Sequence, residues 1–233
     1  MESCILGIDF DNTVVTYDEV LHKTALEWGF IDATIAKDKK SIRDEIRLLP
    51  AGERKWRQLQ AHVYGKAMDK AKLIDGVREF FNSCRQYKVP TYIVSHKTEF
   101  AAEDTDNTNL RDTALDWMKK NKFFDEDGLG ISEDRVYFET SRLEKIERIK
   151  KLGCTHFIDD LEETFGEENF PDIHKILYAS KIDDYSPPGL TVLSTWEKIY
   201  DYFFGEESHS LARQSEAGRA GSYDPTARVG SGQ

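Results

Sequence analysis

No run of about eighteen apolar residues occurs in the chain, so no segment reads as a membrane-spanning helix. Positive charge is in deficit: 32 Lys and Arg face 43 Asp and Glu, a formal net charge of -11. A nucleic-acid binder needs the opposite sign, so no nucleic-acid polymer is expected as a partner. Cysteine is scarce, with only Cys4, Cys84 and Cys154, far apart and without a C-x-x-C pair. That spacing speaks against a cysteine zinc site or a disulfide framework, and the three read as reduced, buried apolar fillers. The N-terminus enters an apolar strand without a basic and apolar leader, so a cytoplasmic protein is expected, with no membrane association. The 233 residues suit one α/β domain with a modest insertion.

What the chain does have begins at Ile5-Leu6-Gly7-Ile8-Asp9-Phe10-Asp11-Asn12-Thr13-Val14. An apolar run that ends abruptly in two acids one residue apart suits a strand buried on both faces of a parallel sheet. Open α/β sheets bind ligands beyond the carboxyl ends of their strands, so Asp9 and Asp11 point at a candidate site. Two more strands end in polar chemistry. Pro90–Val94 leads into Ser95-His96-Lys97-Thr98, and Thr155–Ile158 leads into Asp159-Asp160.

Between the first strand and Leu73 the periodicity is helical, with no convincing strand. Leu21, Ala25 and Trp28 share one face, and Gly29 offers a stop. Helices are predicted over Ser41–Leu49 and Gly52–Met68, parted by Pro50-Ala51-Gly52. In the second, Trp56, Gln60 and Tyr64 form one stripe beside Leu59 and Val63. Trp56 reads as core, whereas Gln60 and Tyr64 carry polar tips that suit a ligand. Helices follow over Val77–Gln86, Leu110–Asn121, Leu143–Leu152 and Trp196–Phe204, with strands at Val136–Phe138, Lys175–Ala179 and Leu190–Leu193. This predicts an α/β core, a Rossmann-like parallel sheet flanked by helices, over 1–16 and 73–205. A small helical cap over 17–72 is inserted after the first strand. Residues 206–233 have little to bury and read as a disordered tail.

Asp9-Phe10-Asp11-Asn12-Thr13, the strand-end Ser95, a helix-start Lys145 and the Asp159-Asp160 pair together resemble the four motifs of the haloacid dehalogenase superfamily. The resemblance spans roughly residues 1 to 204. Lys150, Lys151 and Arg142 are rivals for the lysine position, although lysines at a helix C-terminus are ordinarily explained by the dipole. The resemblance implies a phosphatase of small phosphomonoesters, such as sugar phosphates or nucleotides, that works through an aspartyl-phosphate. Asp9 is then the nucleophile, Asp11 the general acid and base, Ser95 a phosphate contact and Lys145 the compensating cation. Mg2+ is implied, held by Asp9, Asp160 and the Asp11 carbonyl, with Asp159 in contact or one step behind. Substrate contacts are expected from Asn12 (or a turn role, which the residue type favours), Gln60 and Tyr64. His96 and Lys97 either reach the non-phosphate part of the substrate or lie in a solvated loop, and Thr13 is expected to cap the turn. A phosphotransferase or mutase of the same superfamily is the alternative, and an inactive binding module a more distant one. Dehalogenation is disfavoured because Asp11 is the phosphatase-type residue.

Overall fold

A computed structural model describes residues 4–104, 106–179 and 187–205. The chain opens with β1 (Leu6–Ile8) and then β2 (Val15–Thr16), the outgoing arm of an insertion. Helices α1 (Asp18–Glu27), α2 (Lys39–Arg47) and α3 (Gly52–Tyr64) make up the insertion. It returns through β3 (Lys72–Leu73), antiparallel to β2. After the stem come α4 (Val77–Gln86), β4 (Thr91–His96), α5 (Leu110–Lys120), β5 (Val136–Glu139) and α6 (Arg142–Lys151). The chain then forms β6 (His156–Asp159), the short α7 (Glu162–Phe165), β7 (His174–Tyr178), β8 (Thr191–Leu193) and α8 (Trp196–Phe204).

One six-stranded sheet runs in the order β5-β4-β1-β6-β7-β8. All its pairings are parallel. The chain lays β4 and β5 to one side of β1 and β6 to β8 to the other, so the build-up reverses beside β1. At such a switch point the loops leaving neighbouring strands diverge and open a crevice. Ile8 stands in register with Ile93 of β4 and Ile158 of β6, and the Asp9 N–H continues the ladder to the Ile158 carbonyl at 2.8 Å. Asp9 and Asp159 therefore leave adjacent strands at the same level.

Strand β1 is buried along its whole length, as its unbroken apolar run requires. Phe10 turns into the core against Trp117, Phe123 and Phe138, and the pleat sends Asp9 and Asp11 the other way. Helix starts follow side-chain chemistry. The Asp38 carboxylate accepts from the Ser41 N–H at α2, and Ser141 and Glu144 form a capping box at α6. Thr195 caps α8, whose Trp196 is fully buried and donates its indole N–H to the Thr13 carbonyl at 2.9 Å.

Several expectations are revised. Trp28 does not share the buried face of Leu21 and Ala25: it sits at the C-cap of α1, 39% exposed, packed on Phe30 and His62. Thr13 does not cap the turn; its Oγ1 is buried with no hydrogen-bond partner. Asn12 makes the turn through its backbone, in the left-handed region at φ 63°, with its N–H on the Val15 carbonyl. Helix α3 ends at Tyr64, short of Met68, because Gly65 stops it. Strand β4 continues through Ser95 and His96, where Lys97 passes its N–H to the Glu139 carbonyl. Cys84 and Cys154 are buried and Cys4 half-buried, all three free. Burial pushes the Cys84 and Cys154 thiols up to about 12. The tail expected over 206–233 lies outside the described residues. Among those described, no helix is long and apolar enough to cross a membrane.

Gly7 is required where it stands. A Cβ there would lie 2.5 Å from the Phe157 ring, which packs across β1 from β6. The Gly7→Ala variant should lose about 1–3 kcal/mol by overpacking, read as a shifted denaturant midpoint in chemical unfolding.

Candidate active site

The crevice beside β1 gathers side chains from four elements. From the α6 first turn, Lys145, 2% exposed, reaches inward and donates to Asp9 Oδ1 at 2.6 Å and to Asp159 Oδ2 at 2.7 Å. Its ammonium also lies 5.3 Å from the centroid of the Phe157 ring, the ring that needs Gly7. The rival cations are engaged elsewhere: Lys150 pairs with Glu147 and Arg142 with Glu167, and Lys151 is exposed in the last turn of α6. Asp159 is fully buried, its second oxygen accepting from the Leu161 N–H at 3.0 Å. Carboxylate oxygens of Asp9, Asp159 and Asp160 all lie within 4.8 Å of one another.

Burial dominates the electrostatics of this group. It pushes the Asp9 carboxyl up to about 6; Lys145 pulls the value back, and Asp159 and Asp11 add to the rise. The Asp160 carboxyl is also raised, by burial first, against Lys39 and with the help of Asp159 and Asp9. Burial alone would lower Lys145, yet Asp159 and Asp9 outweigh it and hold the ammonium above the ordinary lysine value. Protein carboxylates repelling one another in a dry place are what a bound cation relieves.

Asp11 meets a different set of partners. Lys97 places its ammonium 2.8 Å from Asp11 Oδ2 and 3.1 Å from Oδ1. Lys97 is only 4% exposed, so it is not part of a solvated loop. The Tyr17 hydroxyl donates to Asp11 Oδ1 at 2.5 Å and also contacts Met68 Sδ at 3.1 Å. A second cap residue, Lys39 of α2, stands 3.9 Å from Asp160 Oδ2. Neither Tyr17 nor Lys39 stands out in the sequence. Tyr17 is an isolated aromatic at the cap entrance, and Lys39 belongs to a lysine-rich run that ordinarily means a solvated face.

Gln60, Tyr64, His96 and Lys97 line, with Asp11, a cavity of about 360 Å³ between α3 and the loop after β4. Trp56 is buried in the core behind that face. His96 donates from Nε2 to the Thr140 carbonyl at 3.1 Å. Ser95 is buried on β4, two residues past Ile93, the partner of Ile8. Asn12 is not among the cavity-lining residues. A larger groove of about 910 Å³ lies between α4 and α8, lined by Arg78, Trp196 and Tyr200 among others and away from the carboxylates, so size alone does not locate the chemistry.

No family sequence profile matches the chain, and no curated protein matches it in sequence. Solved structures do match. A haloacid dehalogenase-like hydrolase from Streptococcus pneumoniae is 16% identical with a TM-score of 0.57, covering 87% of this chain and 100% of its own. A haloacid dehalogenase family hydrolase from Deinococcus radiodurans, with bound phosphate and sodium, is 13% identical with a TM-score of 0.49, covering 85% and 94%. A phosphoglycolate phosphatase, so described, from Lactobacillus delbrueckii subsp. bulgaricus is 14% identical with a TM-score of 0.48, covering 88% and 100%. The chain has the haloacid dehalogenase-like fold.

Carboxylates ligate a cation only when ionised, so protons and metal compete for Asp9. If these carboxylates hold a divalent cation, affinity for Mg2+ should fall as pH drops through the range in which the raised Asp9 and Asp160 carboxyls take up protons. Isothermal titration calorimetry across that range checks the slope; a flat profile would show that Asp9 is not a ligand.

Proposed function

We propose that the protein is a Mg2+-dependent phosphatase of small phosphomonoesters that works through an aspartyl-phosphate on Asp9. One observation carries this reading: the Lys145 ammonium bridges Asp9 and Asp159 at the switch point of the sheet, with Asp160 beside them. A phosphoryl group needs an in-line nucleophile, a group that serves the departing oxygen, and positive charge around its equatorial oxygens. Asp9, Asp11 and the lysines answer to those three needs.

The charge balance supports a divalent cation. When all four are ionised, Asp9, Asp11, Asp159 and Asp160 outnumber by one the three ammonium groups they face, on Lys39, Lys97 and Lys145. A dianionic phosphate would be repelled by that set. The donor set is oxygen only, which suits a hard cation such as Mg2+ and not a soft one. Asp9 and Asp160 would hold it, with the Asp11 carbonyl, and Asp159 either joining them or orienting Lys145. When bound, the cation neutralises charge on the phosphoryl oxygens.

The residues then divide the work. Asp9 attacks phosphorus, the bond to the leaving oxygen breaks, and the phosphoryl group rests on Asp9. Asp11 takes up a proton from solvent before the first step, gives it to the departing oxygen and afterwards takes one from the water that attacks phosphorus, which releases phosphate and restores Asp9. Lys145 offsets the charge of Asp9 and of the transferring group, and the buried Ser95 is assigned a phosphate oxygen. The leaving group lies in the cavity under Gln60, Tyr64 and His96. At about 360 Å³ that space admits a small metabolite, and the net charge of -11 disfavours a nucleic-acid substrate.

Purified protein with Mg2+ should release phosphate from an aryl phosphate. The Asp9→Asn variant should lose activity on the order of a thousandfold or more, and EDTA should abolish it. Full activity in EDTA, or in the Asp9→Asn variant, would refute the mechanism.

A further inference from the structure

The ammonium groups in the crevice have separate clients. Lys145 serves Asp9 and Asp159, while Lys97 serves both oxygens of Asp11. Lys97 is not free to sample other partners. Its N–H is bonded to the Glu139 carbonyl at 2.9 Å, and its own carbonyl accepts from Arg111 Nε at 2.9 Å. Its stem passes Phe10 and Tyr64, with the ammonium 6.0 and 5.3 Å from the two ring centroids. Burying a lysine costs side-chain entropy and hydration, which the fold offsets here by a two-oxygen ion pair. Tyr17, fully buried and edge-on to Tyr64 at 4.5 Å, also gives its hydroxyl to Asp11 Oδ1. The Asp11 carboxyl is thus held by two side chains where it lines the leaving-group cavity.

We propose that Lys97 is a positioning residue which, with Tyr17, fixes the Asp11 carboxyl against the leaving oxygen and suits the site to alkyl phosphate esters. The proposal rests on the phosphatase reading above. An alkoxide is a poor leaving group and depends on a well-placed partner for its oxygen, whereas a nitrophenolate leaves with little help. Lys97 acts through Asp11, so its removal should matter in proportion to the help the leaving group needs. A displacement of about 1 Å in such a group can cost on the order of a hundredfold in rate.

The test compares an alkyl phosphate, glycerol phosphate, with p-nitrophenyl phosphate, both with Mg2+. The Lys97→Met variant should lose kcat/KM, which reports the step that expels the leaving oxygen, at least about tenfold more on the alkyl ester than on the aryl ester, and Asp11→Asn should show the same preference. Adding Lys97→Met to Asp11→Asn should cost little further, because residues that act as a unit are not additive. Equal losses on both esters, or additive losses in the double variant, would overturn the proposal and leave the phosphatase reading standing. A wild-type protein that turns over neither ester would overturn both. Removing Lys97 takes one partner from a partly buried charge, so Tyr17→Phe, which deletes a single hydroxyl, is measured in parallel. It should show the same selective loss on the alkyl ester, and an equal loss on both esters counts against the proposal.

Discussion

The structure depends on one ammonium group held between two carboxylates. Asp9 and Asp159 leave neighbouring parallel strands at the same level, so their side chains are forced together in a buried place. Alone they would repel strongly, since a dry environment weakens neither charge. Lys145 makes the arrangement tolerable by donating to both. Breaking such a buried set by removing one member typically costs about 3–5 kcal/mol. Everything that places Lys145 therefore bears on the site: the Ser141 and Glu144 capping box that starts α6, the Phe157 ring beside the ammonium, and Gly7, whose missing side chain gives that ring its room.

The insertion completes what the sheet begins. Its two ends meet in the β2–β3 stem, so the chain leaves and returns beside Asp11. From there Tyr17 reaches Asp11, Lys39 approaches Asp160 and Tyr64 roofs the cavity that Asp11 floors. The contact of Lys39 at 3.9 Å is long, and its side chain is 27% exposed, which makes it a weaker tie than the Tyr17 hydroxyl. The cap side of the crevice is thus anchored at the stem and lighter at α2.

Much of this was readable before any coordinates. The apolar run ending in Asp9 and Asp11, the same pattern ending in Asp159 and Asp160, and the short strand before Ser95 each carry a local signal: burial on both faces followed by abrupt polarity. The choice of Lys145 over its neighbours came from its place at a helix start, and the structure assigns the rivals to surface positions and local partners. What was not readable follows a rule too. The residues around Lys97 fit a solvated loop and a substrate contact alike and do not show its pairing with Asp11, because nothing local distinguishes a buried lysine from a solvated one. Trp28 kept the right spacing for the buried face of α1 but fell at the helix end, where the next turn needed to continue the packing is missing. Thr13 has the residue type of a turn cap, yet the turn is closed by backbone bonds and its hydroxyl is left without a partner.

The sequence by itself determined the strands of the main sheet, the longer helices and where β1 and β6 give way to acids, because hydrophobic periodicity and capping are local properties of a few successive residues; the two-residue strands β2 and β3 and the short α7 were too brief to show a period. Only the tertiary structure decided which cation meets which carboxylate. Lys145 and Asp9 are separated by 136 residues and Lys97 and Asp11 by 86, and their pairing is set by strand order and by the packing of rings such as Phe157 and Tyr64. Charge pairs of that kind carry no periodic signature, so they become visible only when the sheet has brought them within a few ångströms.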